Sequence, residues 1–286
     1  MAALRVIATD PQGNSTVNLF QKYFDVDFAV SQEQKNAVFG LRYRVYCEER
    51  KHEPAHRFPN RMEHDEFDDK SLHCLITHKS SGIHAGCVRL VGTGGRRETD
   101  VLPFEKHCPG SVAPDFFRAQ NLQREFICEI SRLAVDRRFR RRPGAQEPLA
   151  GKAAQGAPVF SDEEVRTFPL IATAGFLAAT ALTEITGRTD AFAMMESYLP
   201  RLLRRAGFIF HRAGENVEYH GTRAAYFIKT EWAINKLRPE LRGLYKAIHA
   251  RIDQSYRVMD GWPFSNGYGT AGRGGHLRVV GVGHRR

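Results

Sequence analysis

The sequence has no cysteine arrangement of the kind that builds a disulfide framework or a zinc site. Its five cysteines are an odd number, and no two of them have CxxC spacing; they are Cys47, Cys74, Cys87, Cys108 and Cys128. Closely spaced cysteine pairs are the usual signature of structural zinc. We therefore expect reduced thiols, most of them buried, and no resident metal.

Long apolar segments are also scarce. The N-terminal segment carries charged and polar side chains early and has no apolar run that ends in a small-residue cleavage site, which disfavours a secretory leader. The most apolar later run, 168–185, contains Pro169, Gly175 and Glu184 and is short for a membrane span. We expect a cytoplasmic protein without an integral membrane segment, in which this run forms a buried helix.

Acidic residues are outnumbered by basic ones. The chain has 42 Lys and Arg against 32 Asp and Glu, a formal net charge of +10. This balance favours acidic partners, among them nucleic acid, anionic lipid, nucleotide cofactors and acidic carrier proteins. Composition alone does not choose among them.

The 286 residues are 42% hydrophobic, which suffices for a large core. We predict one domain over residues 1–262, with a flexible insertion at about 142–160 rich in Gly, Ala, Pro and Gln, and a mobile Gly/Arg-rich tail at 263–286. Strand and helix patterns are mixed rather than strictly alternating. This order predicts an α/β (α+β) domain with a mixed central sheet flanked by helices.

Local patterns place most elements. Alternating residues predict a strand over 24–30 and a hairpin of 73–78 and 84–91. Capping boxes at Ser31 and Ser161 predict helices that run to about residues 49 and 186. The charged loop between them, 51–70, should run over the surface. The later predictions are short helices within 102–121, strands over 190–196, 208–212 and 217–229, and helices over 199–206 and 231–256.

The stretch ICEISRLAVDRRFRRR, residues 127–142, has the pattern of a strand that ends in a cluster of cations. Glu129 and Arg132 interrupt its apolar run, where a purely structural buried strand would carry Val or Leu. Because side chains alternate along a strand, residues 129 and 132 face opposite sides unless the strand bulges or splays. A strand opened in this way is a place where substrate could enter.

Four motifs occur in a recognisable order: LRYRVYCEE at 41–49, DEFD at 65–68, GCVRLV at 86–91 and EISRLAV at 129–135. They resemble the acyl-homoserine-lactone autoinducer synthases, which are acyltransferases of the GNAT fold. With LPFEKHCPG, MMESYLPRLLRRAGFIF and VEYHGTR, the sequence is more similar still to the acyltransferases associated with PEP-CTERM/exosortase systems, relatives of the long-chain N-acyl amino acid synthases. The resemblance covers about residues 35–230 and implies a GNAT fold with a splayed strand.

The resemblance also implies functional positions: an Arg and an aromatic on the first helix, two acids three apart, an Arg on the next strand, and a Glu and an Arg on the splayed strand. The matching residues are Arg42, Tyr46, Asp65, Asp68, Arg89, Glu129 and Arg132. We predict catalytic roles for Glu129, Arg132 and Arg42, and substrate binding by the other four. Structural ion pairing is the alternative for each arginine.

One feature of the autoinducer synthases is missing. That family carries a tryptophan shortly after the first helix, and residues 47–64 contain none. The absence disfavours S-adenosylmethionine as a substrate. We expect instead the transfer of a long acyl chain from acyl carrier protein, or from acyl-CoA, to the amine of an amino acid or related metabolite, with no cofactor consumed.

An amine must lose a proton before it attacks a thioester, and a carboxylate in a partly buried cleft is suited to that task. We interpret Glu129 as this base, acting directly or through a water, with a structural ion pair as the alternative. His73 and His220 are weaker candidates for a second proton-handling group. Apolar residues within 168–182 could line an acyl-chain pocket, with helix core as the alternative.

The arginines after the strand fall where CoA-dependent GNAT proteins have a pyrophosphate loop, but only the first half of that pattern is present, at 141–144. We therefore expect Arg137, Arg138, Arg140 and Arg141 to hold a phosphopantetheine phosphate and the acidic helices of a carrier protein. A solvated basic surface is the alternative.

A hypothesis of another class is a basic nucleic-acid-binding protein, supported by the net charge, the arginine cluster and the Arg/Gly tail. No helix-turn-helix, RNA-recognition aromatic strand or zinc spacing accompanies them. We therefore expect no nucleic-acid partner.

Overall fold

The structure of the chain is a computed structural model that describes residues 15–94, 100–140 and 159–258. Within these residues, seven strands form one sheet in the spatial order β1-β2-β3-β4-β5-β7-β6. The strands are β1 Phe24–Phe28, β2 Ser71–His78, β3 His84–Gly92, β4 Ile127–Val135, β5 Asp190–Met195, β6 His211–Glu218 and β7 Thr222–Lys229. Neighbouring strands are antiparallel except β4 and β5, which are parallel. The predicted mixed sheet is confirmed.

The α-helices within the same ranges are α1 Thr16–Tyr23, α2 Gln32–Arg42, α3 Pro103–His107, α4 Pro114–Ala119, α5 Asp162–Thr167, α6 Leu170–Ile185, α7 Tyr198–Arg204, α8 Thr230–Asn235 and α9 Pro239–Arg257. Capping boxes begin α2 at Ser31 and α5 at Ser161, as predicted. α2 continues without a break into a π-helix, Tyr43–Glu49. Single π-turns inside helices are frequent at functional sites.

Apolar side chains cover both faces of the sheet. One face packs against α6 and α9, and most residues of α6 are buried, which confirms the predicted buried helix. The other face carries two smaller clusters. One contains Val91, Ile127 and Phe192 with aromatic residues of α3 and α4, and the other lies under α2 and contains Cys87 and Ala134.

β4 changes its pairing where its charged residues occur. It pairs with β5 only over 127–129, and the two strands separate beyond that point. Against β3, residues 131–134 of β4 span the same interval as residues 87–89, so β4 holds one extra residue and forms a β-bulge. Arg132 lies in this bulge with a φ of 51°, in the left-handed region. A bulge or a splay was predicted for this strand, and the structure has both.

Some predicted boundaries are wrong. The strand expected over 208–212 begins only at His211, because Phe208 and Phe210 pack in the core without strand pairing. The strand region expected over 217–229 is instead a hairpin of β6 and β7, which turns just before Thr222. A turn at His220 and Gly221 was not predicted; both have positive φ, 51° and 94°.

Two predicted long helices are each interrupted at a proline. α5 and α6 meet at Pro169, and α8 ends before Pro239 begins α9. Proline has no N–H to donate to the helix. It also disfavours helical conformation in the residue before it, and Arg238 before Pro239 is extended, with a ψ of 140°. Phe168 before Pro169 keeps helical angles, so the missing N–H is the reason that applies there. Apolar periodicity continues across both breaks, so the pattern alone predicted one helix where there are two.

The loop at 51–70 was predicted to run over the surface, and this is partly wrong. Phe58, Glu63, Phe67 and Asp68 are buried. The two carboxylates are buried because arginines pair with them, as described below.

Arg141, the predicted tail at 263–286 and most of the predicted insertion at about 142–160 lie outside the described residues. None of the described helices has the length and apolar character needed to cross a bilayer. Within 15–94, 100–140 and 159–258, no group of three or more His, Cys, Asp and Glu side chains could hold a metal ion.

Candidate active site

Three arginines and three carboxylates form an ion-pair cluster beside the bulge of β4. They are Arg42, Glu63, Asp65, Asp68, Arg89 and Arg132. α2, β3 and β4 each supply one arginine, and the segment before β2 supplies the acids. Because the positive and negative charges are equal in number, the cluster is neutral without any ligand.

Arg42 is fully buried, with 0% of its surface exposed, as is Arg89. Its Nε donates to Glu63 at 2.5 Å, and its two terminal nitrogens donate to the two Asp68 oxygens at 2.6 and 2.9 Å. This two-point contact fixes both carboxylates. Arg42 does not line the cleft or the cavity described below, so its position favours orienting its neighbours over contacting substrate.

Arg89 joins the cluster to β4. Its Nη1 donates to Asp65 at 2.6 Å and to Asp68 at 2.9 Å, and its Nε donates to the Ser131 hydroxyl at 3.0 Å. Burial opposes ionisation of Asp68, but Arg42 and Arg89 outweigh that effect and hold the pKa of Asp68 well below its usual range. Asp68 is therefore a permanent anion of the cluster.

Arg132 extends the cluster to the cleft. Its Nε donates to Glu63 at 3.2 Å and its Nη2 to Asp65 at 3.1 Å. A further carboxylate oxygen, from Glu53, lies 3.6 Å from Nη2. The positive φ of the bulge directs this side chain to the same side of the sheet as Glu129, which a straight strand would not do.

Glu129 is a buried carboxylate with a shifted pKa. Its side chain is 3% exposed, and one oxygen accepts the backbone N–H of Phe104 at 2.8 Å. Burial raises the pKa of Glu129 to about 7, although the Phe104 hydrogen bond and the charges of Arg89 and Arg132 oppose the rise. A carboxylate that titrates near neutral pH can both accept and return a proton.

Glu129 lines a narrow cleft at the point where β4 leaves β5. The cleft is also lined by Phe104 from α3, Arg132 from β4, and Tyr219 and His220 from the hairpin turn between β6 and β7. Elements far apart in the chain therefore converge on this carboxylate.

An apolar cavity of about 510 Å³ adjoins the cleft and lies between the separated ends of β4 and β5. Residues that line both spaces mark their junction: Tyr46, His52, Ile130, Ser131, Arg132, Met194 and Arg223. The cavity walls include Leu133, Phe139, Phe168 and Phe176. Of the apolar residues within 168–182, those near the start of α6 line the cavity and the others form core. A cavity with such walls suits an alkyl chain.

Tyr46 lies at the junction between the cleft and the cavity. Its hydroxyl donates to the Leu133 carbonyl at 2.9 Å, and the Arg132 guanidinium carbon lies 5.6 Å from its ring centre. Burial raises the pKa of Tyr46 to about 12, so the phenol stays protonated. Substrate binding by Tyr46 stays a prediction.

The two histidines singled out in the sequence have different surroundings. His73 is 1% exposed, and burial lowers its pKa to about 3, so its ring is neutral beside Asp68. It lines neither the cleft nor the cavity. His220 lines the cleft and lies 3.7 Å from Glu53.

The predicted carrier-binding arginines are mostly paired within the chain. Arg138 donates to both oxygens of Asp136, at 2.9 and 2.8 Å, and Arg140 pairs with Glu49. Asp136 also accepts the backbone N–H of Arg138 at 3.0 Å, so it occupies a donor that a phosphate would otherwise use. Arg137 is exposed and forms no ion pair with the described residues.

The cysteines are buried free thiols, as expected. Burial raises the pKa of Cys128 to about 12. Its thiolate is therefore negligible near neutral pH, and a nucleophilic role beside Glu129 has no support.

Glu63 and Arg223 were missed in the sequence. Glu63 lies in the acidic run that was expected on the surface, yet it is 1% exposed. Two buried arginines and the partly buried Arg132 need three carboxylates, so a charge count around Asp65 and Asp68 could have identified it. For Arg223, nothing in the motif VEYHGTR indicates that its side chain reaches a cleft lined by β4.

Comparison with known proteins matches residues 41–147 to a family described as an acetyltransferase (GNAT) domain. This range contains all four motifs singled out in the sequence. The comparison with curated proteins finds no match.

Solved structures share the architecture. TofI, in a ternary complex with an inhibitor and MTA, is 19% identical, with 77% of this chain and 99% of TofI covered and a TM-score of 0.51. BjaI, described as a CoA-dependent acyl-homoserine lactone synthase with SAM and isopentyl-CoA, is 18% identical, with 82% and 97% covered and a TM-score of 0.50. FeeM, described as an N-acyl amino acid synthase from uncultured soil microbes, is 11% identical, with 77% and 97% covered and a TM-score of 0.50. At these identities the likeness shows the fold, and this chain has the GNAT fold, with a GNAT acetyltransferase domain matched over residues 41–147.

Proposed function

We propose that the chain is an N-acyltransferase that moves a long acyl group from a carrier-bound thioester to the amine of an amino acid or related metabolite. The observation that carries the proposal is the position of Glu129. A buried carboxylate that titrates near neutral pH lines a polar cleft, and that cleft adjoins a large apolar cavity. The acceptor amine needs the polar cleft with its base, and the alkyl chain of the thioester needs the apolar cavity beside it.

In the proposed reaction, Glu129 takes one proton from the acceptor's ammonium group, directly or through a water. The neutral amine then attacks the thioester carbonyl carbon and forms a C–N bond. When the intermediate collapses, the C–S bond breaks, the nitrogen loses its second proton and the sulfur gains one. An amide and a free thiol leave, and one proton is released to solvent.

The tetrahedral intermediate carries a negative oxygen that needs hydrogen-bond donors. Beyond Glu129, the edge of β4 no longer pairs with β5, so backbone N–H groups of the splayed strand can stabilise the oxyanion. The cluster of Arg42, Arg89 and Arg132 holds this strand and its bulge in place through the acids. In this scheme Arg42 is a positioning residue, and Arg132 contacts the substrates.

The fold neighbours support acyl transfer. BjaI and FeeM are both described as enzymes that make acylated products. An acyl carrier protein as the donor is consistent with the net charge of +10 and with exposed Arg137, and Asp136 at the start of the segment disfavours a backbone cradle for CoA pyrophosphate. The link to PEP-CTERM/exosortase systems stays a prediction from sequence resemblance.

Mass spectrometry tests the proposal. The purified chain is incubated with palmitoyl and shorter acyl carrier proteins, the matching acyl-CoAs, mixed amino acids and S-adenosylmethionine. We expect an N-acyl amino acid, whose mass identifies the acceptor. An acyl-homoserine lactone would replace the proposal with the autoinducer hypothesis, and the absence of any acylated product would contradict both.

A further inference from the structure

Arg223 is a cation of the cleft that the ion-pair cluster does not neutralise. We propose that Arg223 binds the carboxylate of the acceptor and so selects amines that carry a carboxylate beside the amine. This inference rests on the proposed function and adds a specificity-determining residue to it.

Arg223 reaches the cleft from the start of β7. Side chains alternate along a strand, so Arg223 shares a face with Ala225 and Phe227, which pack against Ile127 of β4. Glu129 lies two residues after Ile127 and projects to that same face. Arg223 therefore lies on the side of the sheet where the proposed base lies, and it lines both the cleft and the adjoining cavity.

Charge balance distinguishes Arg223 from the other arginines of the cleft. Arg89 and Arg132 each contact carboxylates of this chain at 3.2 Å or less. Arg223 forms no ion pair with any described residue. Its Nε is buried without a hydrogen-bond partner, as is Nη2 of Arg89, whose charge is however already paired. A guanidinium has five donors in a planar fork that matches a carboxylate. Leaving such donors unsatisfied in a cleft is costly, so a ligand with acceptor oxygens would be favoured there.

The surroundings of Arg223 are suited to an anion. His52 and His220 stack beside it with ring centres 5.1 Å apart. Burial lowers the pKa of both imidazoles, and the charge of Arg223 adds to the effect. Neutral imidazoles can still donate one N–H to a carboxylate. Two acids lie nearby. Glu53 is already within 4 Å of Arg132 and His220, and Glu196 lines the cavity with Arg223 but forms no ion pair with it.

An α-amino acid carries its amine and its carboxylate on one carbon. If Arg223 holds the carboxylate, the amine is confined to the same cleft as Glu129 and to the junction with the acyl cavity. We therefore expect the enzyme to select acceptors by their carboxylate, whatever side chain the acceptor carries.

The test uses the full chain with the acyl donor that gives product, and a pair of acceptor mixtures. One mixture contains the amino acids, and the other contains their α-amides, in which a neutral carboxamide replaces the carboxylate. The wild-type chain should acylate the acids in preference to the amides. In Arg223→Gln this preference should fall by about 10- to 100-fold through a higher KM for the acids, while Arg223→Lys, which keeps the charge, retains part of it. Arg242→Gln, an exposed residue of α9, is the matched control and should behave as wild type.

The other possible outcomes separate the role of Arg223 from the acyl-transfer activity itself. Equal acylation of acids and amides by the wild-type chain, or an undiminished preference in Arg223→Gln, would overturn the role of Arg223 and leave acyl transfer intact. A higher KM for the donor, with an unchanged KM for the acids, would assign Arg223 to the donor's phosphate instead. No acylation of either mixture would overturn the proposed function, and this inference with it.

Discussion

At Glu129, burial and two arginines act on one carboxylate in opposite directions. Burial is the larger effect and raises the pKa to about 7, while Arg89, Arg132 and the Phe104 N–H lower it. A fully paired carboxylate would have too low a pKa to accept a proton effectively, and one without partners would stay protonated. The opposing effects set the pKa of the proposed base close to neutral pH.

The pH dependence of turnover follows from this pKa. Only ionised Glu129 can take the proton, so kcat/KM, which reports groups of the free enzyme, should rise with pH and level off above about pH 7. The rise should be about tenfold per pH unit on the acid side. Initial rates at substrate concentrations below KM measure it. If the rate of Glu129→Gln rose with pH in the same way, the titration would belong to another group.

Arg42 gives a prediction about stability. Arg42→Met leaves Glu63 and Asp68 buried without their main partner, and we expect a loss of about 3–5 kcal/mol in the free energy of unfolding. Arg44→Met, which removes a half-exposed partner of Asp136, should cost less than about 1 kcal/mol. Urea unfolding measures both, and equal losses would contradict the central place of Arg42 in the cluster.

Sequence patterns predicted the residues of the site better than their environments. The seven motif positions resemble a known family, and the structure places them within or beside one cleft. The burial of Glu63 depends on how a loop folds over arginines from three other elements. The access of Arg223 to the cleft depends on the pairing of β5 with β7. Neither is encoded in the local pattern around the residue.

Among the elements, the bulge in β4 determines the geometry of the site. One extra residue and a positive φ at Arg132 direct Glu129 and Arg132 to the same side of the sheet. Residue 132 has a backbone conformation that non-glycine residues rarely adopt because it is unfavourable for them. The ion pairs of the Arg132 side chain with Glu63 and Asp65 offset this cost.

The bulge can be tested with two substitutions that both remove the Arg132 side chain. Glycine adopts positive φ freely and alanine does not, so Arg132→Gly should be more stable than Arg132→Ala by about 1 kcal/mol. In a regular strand or helix the order would be the reverse. The midpoints of chemical unfolding compare the two variants, and a more stable alanine variant would show that residue 132 has ordinary backbone geometry.

Alternation and turn residues predicted β1, the hairpin of β2 and β3, and β4, because each has a local signal that tertiary packing reinforces. The boundary error at Phe208 arose because buried apolar residues look alike in a strand and in a packed connection. The π-helix after Arg42 has no sequence pattern of its own. Tyr46 of this π-helix contacts the Leu133 carbonyl on β4, and no local pattern indicates this tertiary contact.

In the whole molecule, the polar cleft and the apolar cavity occupy separate places on one sheet. The ion-pair cluster and the cleft lie on one side of the point where β4 and β5 part, and the cavity lies between their separated ends. The cluster is neutral, so the net charge of +10 resides on other residues, as the proposal of an acidic carrier requires.

The size of the cavity should determine which acyl chains are accepted. Ala172 lines it from α6, and Ala172→Trp would fill part of the volume. We expect the preferred acyl chain to become shorter, with little change in the rate for short chains. Competition among acyl donors of different lengths, read by product mass, measures the shift. An unchanged preference would place the acyl chain elsewhere.

In the proposed reaction, the cleft transfers an acyl group from a thioester to an amine with Glu129 as the base. The rate of thiol release from the acyl donor, measured with and without the acceptor amine in wild type and Glu129→Gln, tests this reaction. We expect release that requires the amine and that falls by about 10²- to 10⁴-fold in the variant, while the melting temperature shows that the variant is folded. Thiol release at the wild-type rate in Glu129→Gln, or release that never depends on an amine, would contradict the proposed reaction.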